Sequence, residues 1–328
     1  MTTTETKSAP SKSSSAGVKL RKFAANNGAL IGLVILCVGL GIATPVFFTM
    51  SNLVNVGVQA ATVAILAFGM TFVIVAAGID LSVGSVAALS AMVAAVWFAN
   101  LGLPAFLAPF IGLLTGLVVG SVSGMANAYG KLPSFIATLA MLSIARGLTL
   151  VISGGRPVST PSSINWLGGD IGPVPVPILV FAVAGVIAAF ILNRTVWGRA
   201  MYVVGGNIEA ARLSGIPVKR IQVLVFALSG LYAALAGLVM AARLNSAQPQ
   251  AGSGFELDAI AAVVIGGASL AGGVGKVSGT LIGALLLAVI RNGLNILNVS
   301  SFWQQVVIGL VIAIAVGFDV LRRSEASH

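Results

Sequence analysis

The sequence predicts an all-α polytopic membrane protein with about ten transmembrane helices, some of them broken. Three observations carry this prediction. Hydrophobic residues make up 58% of the chain and charged residues 8%, whereas about 25% of the residues of soluble domains are charged. Apolar runs long enough to cross about 30 Å of hydrocarbon recur along nearly the whole chain. Glycine contributes 40 of the 328 residues, and small residues allow membrane helices to approach closely.

Hydropathy gives ten candidate spans with approximate ends. They are 28–48, 53–77, 82–101, 104–128, 133–153, 173–193, 221–242, 257–272, 277–298 and 302–321. The segment 257–272 is short and runs into "GGASLAGGVG", so a re-entrant or broken helix is an open alternative to a full crossing.

The positions of the basic residues support ten crossings with both termini in the cytoplasm, where Lys and Arg collect. That topology places Lys131, Lys276, Arg322–Arg323 and the loop 194–220 on the cytoplasmic side. Of the remaining basic residues near the membrane surface, Arg156 and Arg243 lie on the outer side. The net charge of +10 is therefore explained by topology rather than by nucleic-acid binding.

The domain organisation follows from the same pattern. Residues 1–26 are polar, low in complexity and basic at their end, which predicts a disordered cytoplasmic tail. Residues 27–322 form the predicted transmembrane domain with its cytoplasmic loop at about 194–220, and 323–328 form a second cytoplasmic tail.

Several kinds of chemistry are excluded by composition. Cys37 is the single cysteine and His328 is the single histidine, so we expect no metal site, disulfide or histidine-based catalysis. The run "AGGVGKVSG" resembles a phosphate-binding loop, but that motif requires Gly and Ser or Thr where Leu270 and Val277 stand. We expect no cofactor in this chain and no nucleotide site.

A short internal echo indicates a two-part design. "GIDLSVG" at 78–84 aligns with "GASLAGG" at 267–273, and each follows an apolar run. Transporters often carry glycine-interrupted helices at corresponding places in two halves of the chain.

Asp80 is the single charged residue between Lys22 and Lys131. The predicted topology puts it at the cytoplasmic turn between the second and third spans. There Asp80 or Ser82 can accept hydrogen bonds from the free N–H groups that open the next helix. Two functional alternatives remain open, in which Asp80 lines a translocation path or carries a proton.

Polar residues recur on one face of the second span and toward the outer end of the ninth. The first set is Asn52, Asn55, Gln59 and Thr62, and the second is Arg291, Asn292, Asn295 and Asn298, with Gln304–Gln305 beyond it. Polar groups inside membrane spans usually face the bundle interior or a water-filled cavity. Amides both donate and accept hydrogen bonds, which suits a neutral polyol, although they can equally serve to hold helices together. Arg146, within the fifth span, receives no role. The predicted translocation path comprises Asn55, Gln59, Thr62, Asp80, Ser82, Asn292 and Asn295.

The segment "GNIEAARLSGIP" predicts a short helix in the largest cytoplasmic loop. Glu209 lies near its N-terminal end, Gly215 fits an end-cap position, and Pro217 prevents continuation. Such a segment is either inert or docks into a groove on a soluble partner.

This segment resembles the coupling loop of permeases from ATP-binding-cassette (ABC) importers, and the rest of the chain is similar to their ribose-type sugar permeases. The matching stretches are "GMTFVIVAAGIDLSVGS", "LPSFIATLAMLSIARGLTLVISGG", "GNIEAARLSGIPV", "LDAIAAVVIGGASLAGGVGKVSGTLIGALLL" and "NGLNILNVSSFWQ". The chain departs from the family in its N-terminal tail. It also lacks the Ile-x-Leu-Pro half that follows the coupling glycine in other permease branches.

The resemblance implies a homodimer in the lipid of the bacterial inner membrane, with a periplasmic sugar-binding protein and a cytoplasmic ATPase that binds ATP and Mg. The implied coupling residues are Gly206, Asn207, Glu209, Ala210, Ala211, Arg212, Leu213 and Gly215. The sequence thus predicts a non-enzymatic subunit that imports a monosaccharide, for which ribose is the first expectation. The alternative is a secondary sugar transporter driven by an ion gradient, which the scarcity of intramembrane acids disfavours.

Overall fold

The computed structural model describes residues 28–326, and most of them are helical. The predicted tail over 1–26 lies outside the described residues, as do residues 327–328 of the predicted C-terminal tail. The helices are α1 (Gly28–Ala43), α2 (Met50–Val75), α3 (Val83–Ala99), α4 (Ala108–Ala128), α5 (Ser134–Ser153), α6 (Ser162–Asn165), α7 (Val176–Arg194), α8 (Val196–Gly206), α9 (Ile208–Leu213), α10 (Val218–Leu244), α11 (Phe255–Ile265), α12 (Val277–Ile296) and α13 (Ser301–Ala326).

Within the described residues, short strands and turns connect these helices. The strands β1 (Val158–Ser159) and β4 (Ser246–Ala247) pair in antiparallel fashion, and β2 (Asp170–Ile171) pairs with β3 (Val174–Pro175) in the same way. Two 3₁₀ turns cover Ala105–Leu107 and Trp166–Gly168.

The helix α2 forms the centre of the bundle. Every residue from Ala60 to Val75 is buried, and the helix packs against α7, α10, α11 and α12. Thr49 caps its start by accepting a hydrogen bond from the Asn52 N–H. A helix that is apolar on all sides is expected at the core of a bundle rather than at its surface.

The two ends of the bundle are defined by the direction of its helices. The near end is where α2 ends and α10 and α12 begin, and the far end is where α2 begins and α10 and α12 end. The α2–α12 pair is antiparallel, because Thr71 bonds Thr280 toward the near end and Asn52 bonds Asn292 toward the far end.

Glycines allow α4 and α10 to pack with their backbones in contact. A Cβ atom on Gly116 would lie 2.2 Å from the Gly230 carbonyl oxygen, and one on Gly120 would lie 2.2 Å from the Phe226 carbonyl oxygen. The glycines of α4 recur every four residues and so line one face of the helix. The close approach explains the high glycine content.

Each of the ten predicted spans contains a helix. Six helical segments are long and apolar enough to cross a membrane, namely α2, α4 with its preceding 3₁₀ turn, α5, α7, α10 and α12. The helices α1 and α3 are shorter apolar helices, as is the segment Ser301–Ile314. Ten crossings thus remain a prediction.

The eighth predicted span has a different shape from a continuous helix over 257–272. The chain is non-helical from β4 to Gly254 and consists mostly of turns, and the Gly252 backbone touches Gly84 at the start of α3. The helix α11 then begins after Gly254, with φ of +85°, and has 11 residues. Its length is about 16 Å, roughly half the hydrocarbon thickness. The segment 257–272 therefore has the broken helix that the sequence left open as an alternative to a full crossing.

Candidate functional site

The short helix α9 forms as the sequence predicts. The Asn207 side chain accepts a hydrogen bond from the Ala210 N–H at 2.9 Å and so caps the start of the helix. At the other end, the Gly215 N–H bonds the Arg212 carbonyl and the Ile216 N–H bonds the Ala211 carbonyl. Gly215 has φ of +77°. This is the Schellman arrangement, which confirms Gly215 as the end cap.

The helix α9 has one face against the protein and one face exposed. Ala211 is fully buried, whereas Leu213 is 82% exposed. Glu209 and Arg212 form an exposed ion pair of 2.9 Å on the outer face. Exposed apolar side chains beside an ion pair form a surface suited to docking another protein.

The helix α8 joins α9 to the core through backbone contact. A Cβ atom on Gly205 would lie 1.9 Å from the Val75 carbonyl oxygen at the end of α2, and 2.7 Å from the Gly273 nitrogen. The Gly273 N–H donates to that same Val75 carbonyl at 2.9 Å. The end of α8, the end of α2 and the loop 266–276 therefore meet without intervening side chains.

Tyr202 adds a side-chain bond to the same junction. Its hydroxyl donates to the Gly275 carbonyl at 2.7 Å, and burial raises the pKa of its phenol above the usual value. The phenol thus stays protonated and able to donate. Sequence reasoning missed this role of Tyr202 and Gly205, since no local pattern shows that α8 meets a loop some 70 residues later in the chain.

The two segments of the internal echo lie next to each other at this junction. After α2 the Ala77 N–H bonds the Ile74 carbonyl and the Gly78 N–H bonds the Val73 carbonyl, and α11 ends with the same two bonds at Gly267 and Ala268. In the structure, Ala77 therefore corresponds to Gly267, whereas the sequence alignment pairs Gly267 with the next residue, Gly78. A Cβ atom on Gly272 would lie 2.6 Å from the Ala77 Cβ. The echo is therefore a repeated helix-end motif.

Asp80 and Ser82 lie inside the bundle. The Asp80 carboxylate accepts hydrogen bonds from the Ser82 N–H at 2.9 Å, the Ser82 hydroxyl at 2.6 Å and the Ser229 hydroxyl at 2.8 Å. Ser229 lies eleven residues after Val218, which is about 16 Å along α10. Asp80 lies in the turn between α2 and α3, as the sequence predicts, and its side chain is buried among the helices. The cytoplasmic position of this turn remains a prediction.

The reading of Asp80 as an acceptor at the start of α3 is supported by these bonds. Asp80 is 1% exposed, and so is Ser82. The three bonds join the turn after α2 to α10, so that the carboxylate binds the two elements together.

The predicted polar stripe divides between a helix contact and a cavity. The Asn52 and Asn292 amides bond each other in both directions at 3.1 and 2.8 Å, and both are buried. Asn55 is exposed, and the exposed Asn295 accepts a bond from Gln304 at 2.8 Å. Asn292 therefore holds α2 against α12.

Gln59 and Thr62 line a cavity of about 160 Å³ in the far half of the bundle. The cavity lies between α2, α10, α11 and α12. Its lining residues are Gln59, Thr62, Val63, Met240, Arg243, Phe255, Asp258, Leu287, Ala288 and Arg291. The mixture of amide, hydroxyl, ion pair and aromatic ring is the composition expected of a site for a small polar molecule.

The charged pair of this cavity joins α11 to α12. The Arg291 guanidinium bonds the Asp258 carboxylate, and the Asp258 side chain is 5% exposed. Sequence reasoning noted Arg291 but not Asp258. The available signal was an acid within an apolar segment, which in a membrane protein marks a functional candidate.

Arg146 supports the turns that precede α11 in the broken span. Its guanidinium donates to the Pro249 carbonyl at 2.8 Å and to the Ala251 carbonyl at 2.9 Å. A non-helical backbone inside a membrane bundle needs such partners, since its carbonyls have no helix to bond. In the described part of the chain, no cluster of three or more His, Cys, Asp or Glu residues could hold a metal ion.

Comparison with known proteins gives a family. Residues 52–316 match the family model for the branched-chain amino acid transport system / permease component. The ribose import permease protein RbsC of Haemophilus influenzae is 46% identical over 314 residues, which cover 94% of this chain and 97% of that protein.

Two further relatives come from Escherichia coli strain K12. Its ribose import permease protein RbsC is 47% identical over 296 residues, covering 88% of this chain and 92% of that protein. Its xylose transport system permease protein XylH is 37% identical over 336 residues, covering 83% of this chain and 86% of that protein. No solved structure matches the chain.

Proposed function

The chain belongs to the family of branched-chain amino acid transport system permease components, and from this premise we propose that it is the permease subunit of an ABC importer for ribose. The observation that carries the proposal is identity of 46–47% with proteins named ribose import permease over most of the chain. The subunit transports its substrate without changing a covalent bond, so it is a transport component rather than an enzyme.

The assembly proposed for the chain has three kinds of partner. A cytoplasmic ATPase supplies the energy and binds ATP and Mg, and a periplasmic binding protein delivers the sugar. A second copy of this chain completes the membrane part as a homodimer. The proposed location is the bacterial inner membrane, with ten crossings, the broken span included, and both termini cytoplasmic. The proposed membrane domain is 27–322, flanked by tails at 1–26 and 323–328.

The nucleotide is assigned to the partner, and the geometry of the glycine run in this chain supports that. In a phosphate-binding loop, free backbone N–H groups point at the phosphates. Here the Gly273 N–H is already bonded to Val75. The run therefore packs helices together.

The proposed coupling surface is the segment 206–215, centred on the exposed face of α9. Its residues are Gly206, Asn207, Glu209, Ala210, Ala211, Arg212, Leu213 and Gly215. When the ATPase closes, it moves this helix. The backbone contact of Gly205 with Val75 passes the movement to α2, because two backbones in contact cannot slide past each other without separating.

The movement also reaches the cavity. The loop 266–276 connects α11, which carries Asp258, to α12, which carries Arg291. Displacement of the loop changes the position of the two helices relative to each other. The proposed sugar path thus includes Gln59 and Thr62, with Asn55 at its entrance. Asp80, Ser82, Asn292 and Asn295 act as helix contacts beside it.

Reconstitution distinguishes the importer from an ion-driven transporter. Proteoliposomes that contain the chain, its ATPase and its binding protein are expected to accumulate radiolabelled ribose with ATP. The chain alone is expected to accumulate none under a proton or sodium gradient. Asp80 and Asp258, the buried carboxylates among the described side chains, already have partners, which disfavours proton carriage. Accumulation by the chain alone would refute the proposal.

A further inference from the structure

The cavity between α2, α10, α11 and α12 is built by one chain. Its volume is about 160 Å³, several times the roughly 30 Å³ that one water occupies in the liquid. The exposed Arg243 side chain borders it, and the exposed Asn55 lies one helical turn beyond Gln59, toward the far end. The cavity is therefore large enough for a small polar molecule and has its mouth toward the far end.

Two buried polar atoms of the cavity lining have no hydrogen-bond partner among the residues that the structure describes. The Thr62 hydroxyl oxygen accepts and donates no hydrogen bond, and neither does the Arg291 Nε. Thr62 is 4% exposed and lines the cavity. Most buried polar side-chain groups in proteins are hydrogen-bonded, because an unsatisfied one loses its bonds to water without replacement. These atoms are expected to bond whatever occupies the cavity.

The remaining lining restricts the chemistry of the occupant. Gln59 offers both a donor and an acceptor, and the Thr62 hydroxyl can serve as either. The Asp258 carboxylate and the Arg291 guanidinium are paired with each other, so the site offers no single uncompensated charge to an ion. The Phe255 ring supplies an apolar wall. A neutral molecule with several hydroxyl groups and apolar C–H surfaces meets all of these groups.

We propose that this cavity is a monosaccharide-binding site contained within a single chain, so that a dimer holds two of them. Gln59, Thr62, Asp258 and Arg291 bond the sugar hydroxyls, and Phe255 packs against the ring. The inference rests on the proposed function, since it assigns the sugar of that transport reaction to a place in each protomer.

The broken span gives the site a means of release. Asp258 lies on the short helix α11, which is preceded by the turns over 249–254 and followed by the loop 266–276. Arg291 lies on α12, beyond the same loop. Movement of the loop shifts Asp258 against Arg291 and thereby changes two of the groups that bond the sugar. The site is thus emptied when the ATPase acts.

The test uses single-cysteine variants of the full chain in nanodiscs. Cys37, the single native cysteine, is replaced by Ser, and Met240→Cys is introduced into that background, because Met240 lines the cavity but offers no hydrogen bond to the sugar. Modification by a small cationic methanethiosulfonate is timed with ribose, with sucrose at equal osmolarity, and without sugar. Ribose at about three times its dissociation constant is expected to slow the reaction roughly fourfold. Sucrose is expected to have no effect, because a disaccharide exceeds the cavity.

Asn295→Cys in the same background is the control for indirect effects, since Asn295 is exposed and lies outside the cavity lining. Its reaction rate is expected to be equal in all three conditions. Equal rates at Met240→Cys with and without ribose, or no reaction there at all, would overturn the proposal. Equal slowing by ribose and sucrose would also overturn it.

A matched pair of second variants tests the contact with Thr62. Thr62→Val and Ser90→Ala each remove a buried hydroxyl that has no partner among the described residues, but Ser90 lies outside the cavity lining. Ribose protection of Met240→Cys is expected to be lost with Thr62→Val and kept with Ser90→Ala. Equal protection in the two variants would remove Thr62 from the site and with it the proposal.

The test of the site can fail independently of the test of the proposed function. ATP-driven ribose uptake by the complete assembly, together with no ribose protection of Met240→Cys, would refute the site and leave the importer intact. Protection without ATP-driven uptake would support the site and refute the importer.

Discussion

The two ends of α2 are surrounded in opposite ways. At the near end, the Val75 carbonyl is held between Gly205 and Gly273 with no space for even one methyl group. In the far half, Gln59 and Thr62 face a cavity of about 160 Å³ with unpartnered polar atoms. One end is built to transmit displacement, and the other is built to accommodate a molecule. A transport subunit needs both, and a single rigid helix connects them.

The largest effect is expected from filling the near-end contact. Gly205→Val places side-chain atoms where a Cβ atom alone would lie 1.9 Å from the Val75 carbonyl oxygen. Since backbone cannot yield as a flexible side chain does, we expect ATP-driven uptake to fall at least tenfold. Uptake by proteoliposomes and ATPase activity, measured together, show whether hydrolysis has lost its connection to transport.

Gly206→Ala is the matched control for this substitution. A Cβ atom at Gly206 has nothing within 4 Å, although the residue is adjacent in sequence. Uptake near the wild-type level is expected. A similar loss in both variants would mean that the close contact at Gly205 is irrelevant to transmission.

The next largest effect is expected in the far half, at the charged pair. Arg291→Met leaves the buried Asp258 carboxylate without its partner, and breaking a buried pair costs about 3–5 kcal/mol. Thermal unfolding in detergent is expected to shift markedly downward. The double variant Arg291→Met/Asp258→Leu is expected to recover much of the loss, because it removes the unpaired charge. Equal unfolding temperatures for the single and double variants would contradict this account.

A smaller effect is expected at the turns that lead into α11. Arg146→Met removes two hydrogen bonds to the Pro249 and Ala251 carbonyls, and unsatisfied buried carbonyls cost about 1–3 kcal/mol. Proteolysis or hydrogen exchange within 246–254 is expected to rise more than elsewhere in the bundle. Arg146→Lys is expected to keep part of the protection from proteolysis and hydrogen exchange that Arg146→Met loses. A uniform rise across the bundle would show that Arg146 has no specific role at this segment.

The smallest effect is expected at the end cap of α9. Gly215→Ala puts a side chain at φ of +77°, at a cost of about 1–2 kcal/mol. A Cβ atom there has nothing within 4 Å, so the cost is conformational alone. Uptake is expected to fall severalfold, whereas Gly215→Asn is expected to be milder because Asn tolerates this conformation. An equal effect of the two substitutions would argue against strain as the cause.

The order of these expected effects reflects how the two ends of α2 differ. A backbone contact tolerates no added atom, whereas a polar cavity tolerates substitutions that keep its charges balanced. If far-half variants abolished uptake more severely than Gly205→Val, the proposed division between transmission and accommodation would be wrong.

Features that depend on neighbours along the chain could be predicted from the sequence. Apolar runs located the helices, because a helix buried in a bundle or in lipid must be apolar over its length. Asn207 and Gly215 located the two ends of α9, because caps bond groups within a few residues. The glycine interruption after 257–265 indicated the broken span, and the polar stripe included Gln59 and Thr62, which line one cavity.

Which helix faces pack against each other depends on the tertiary structure. Asn292 was predicted for the path, yet it bonds Asn52, 240 residues away. Asp80 was expected in the turn between the second and third spans, and its bond to Ser229, 149 residues away, has no local signal. The pairing of Asp258 with Arg291 and the contact of Gly205 with Val75 have no local signal. Periodicity specifies the face of a helix on which a residue lies, but the neighbour of that face is set by the packing of the whole bundle.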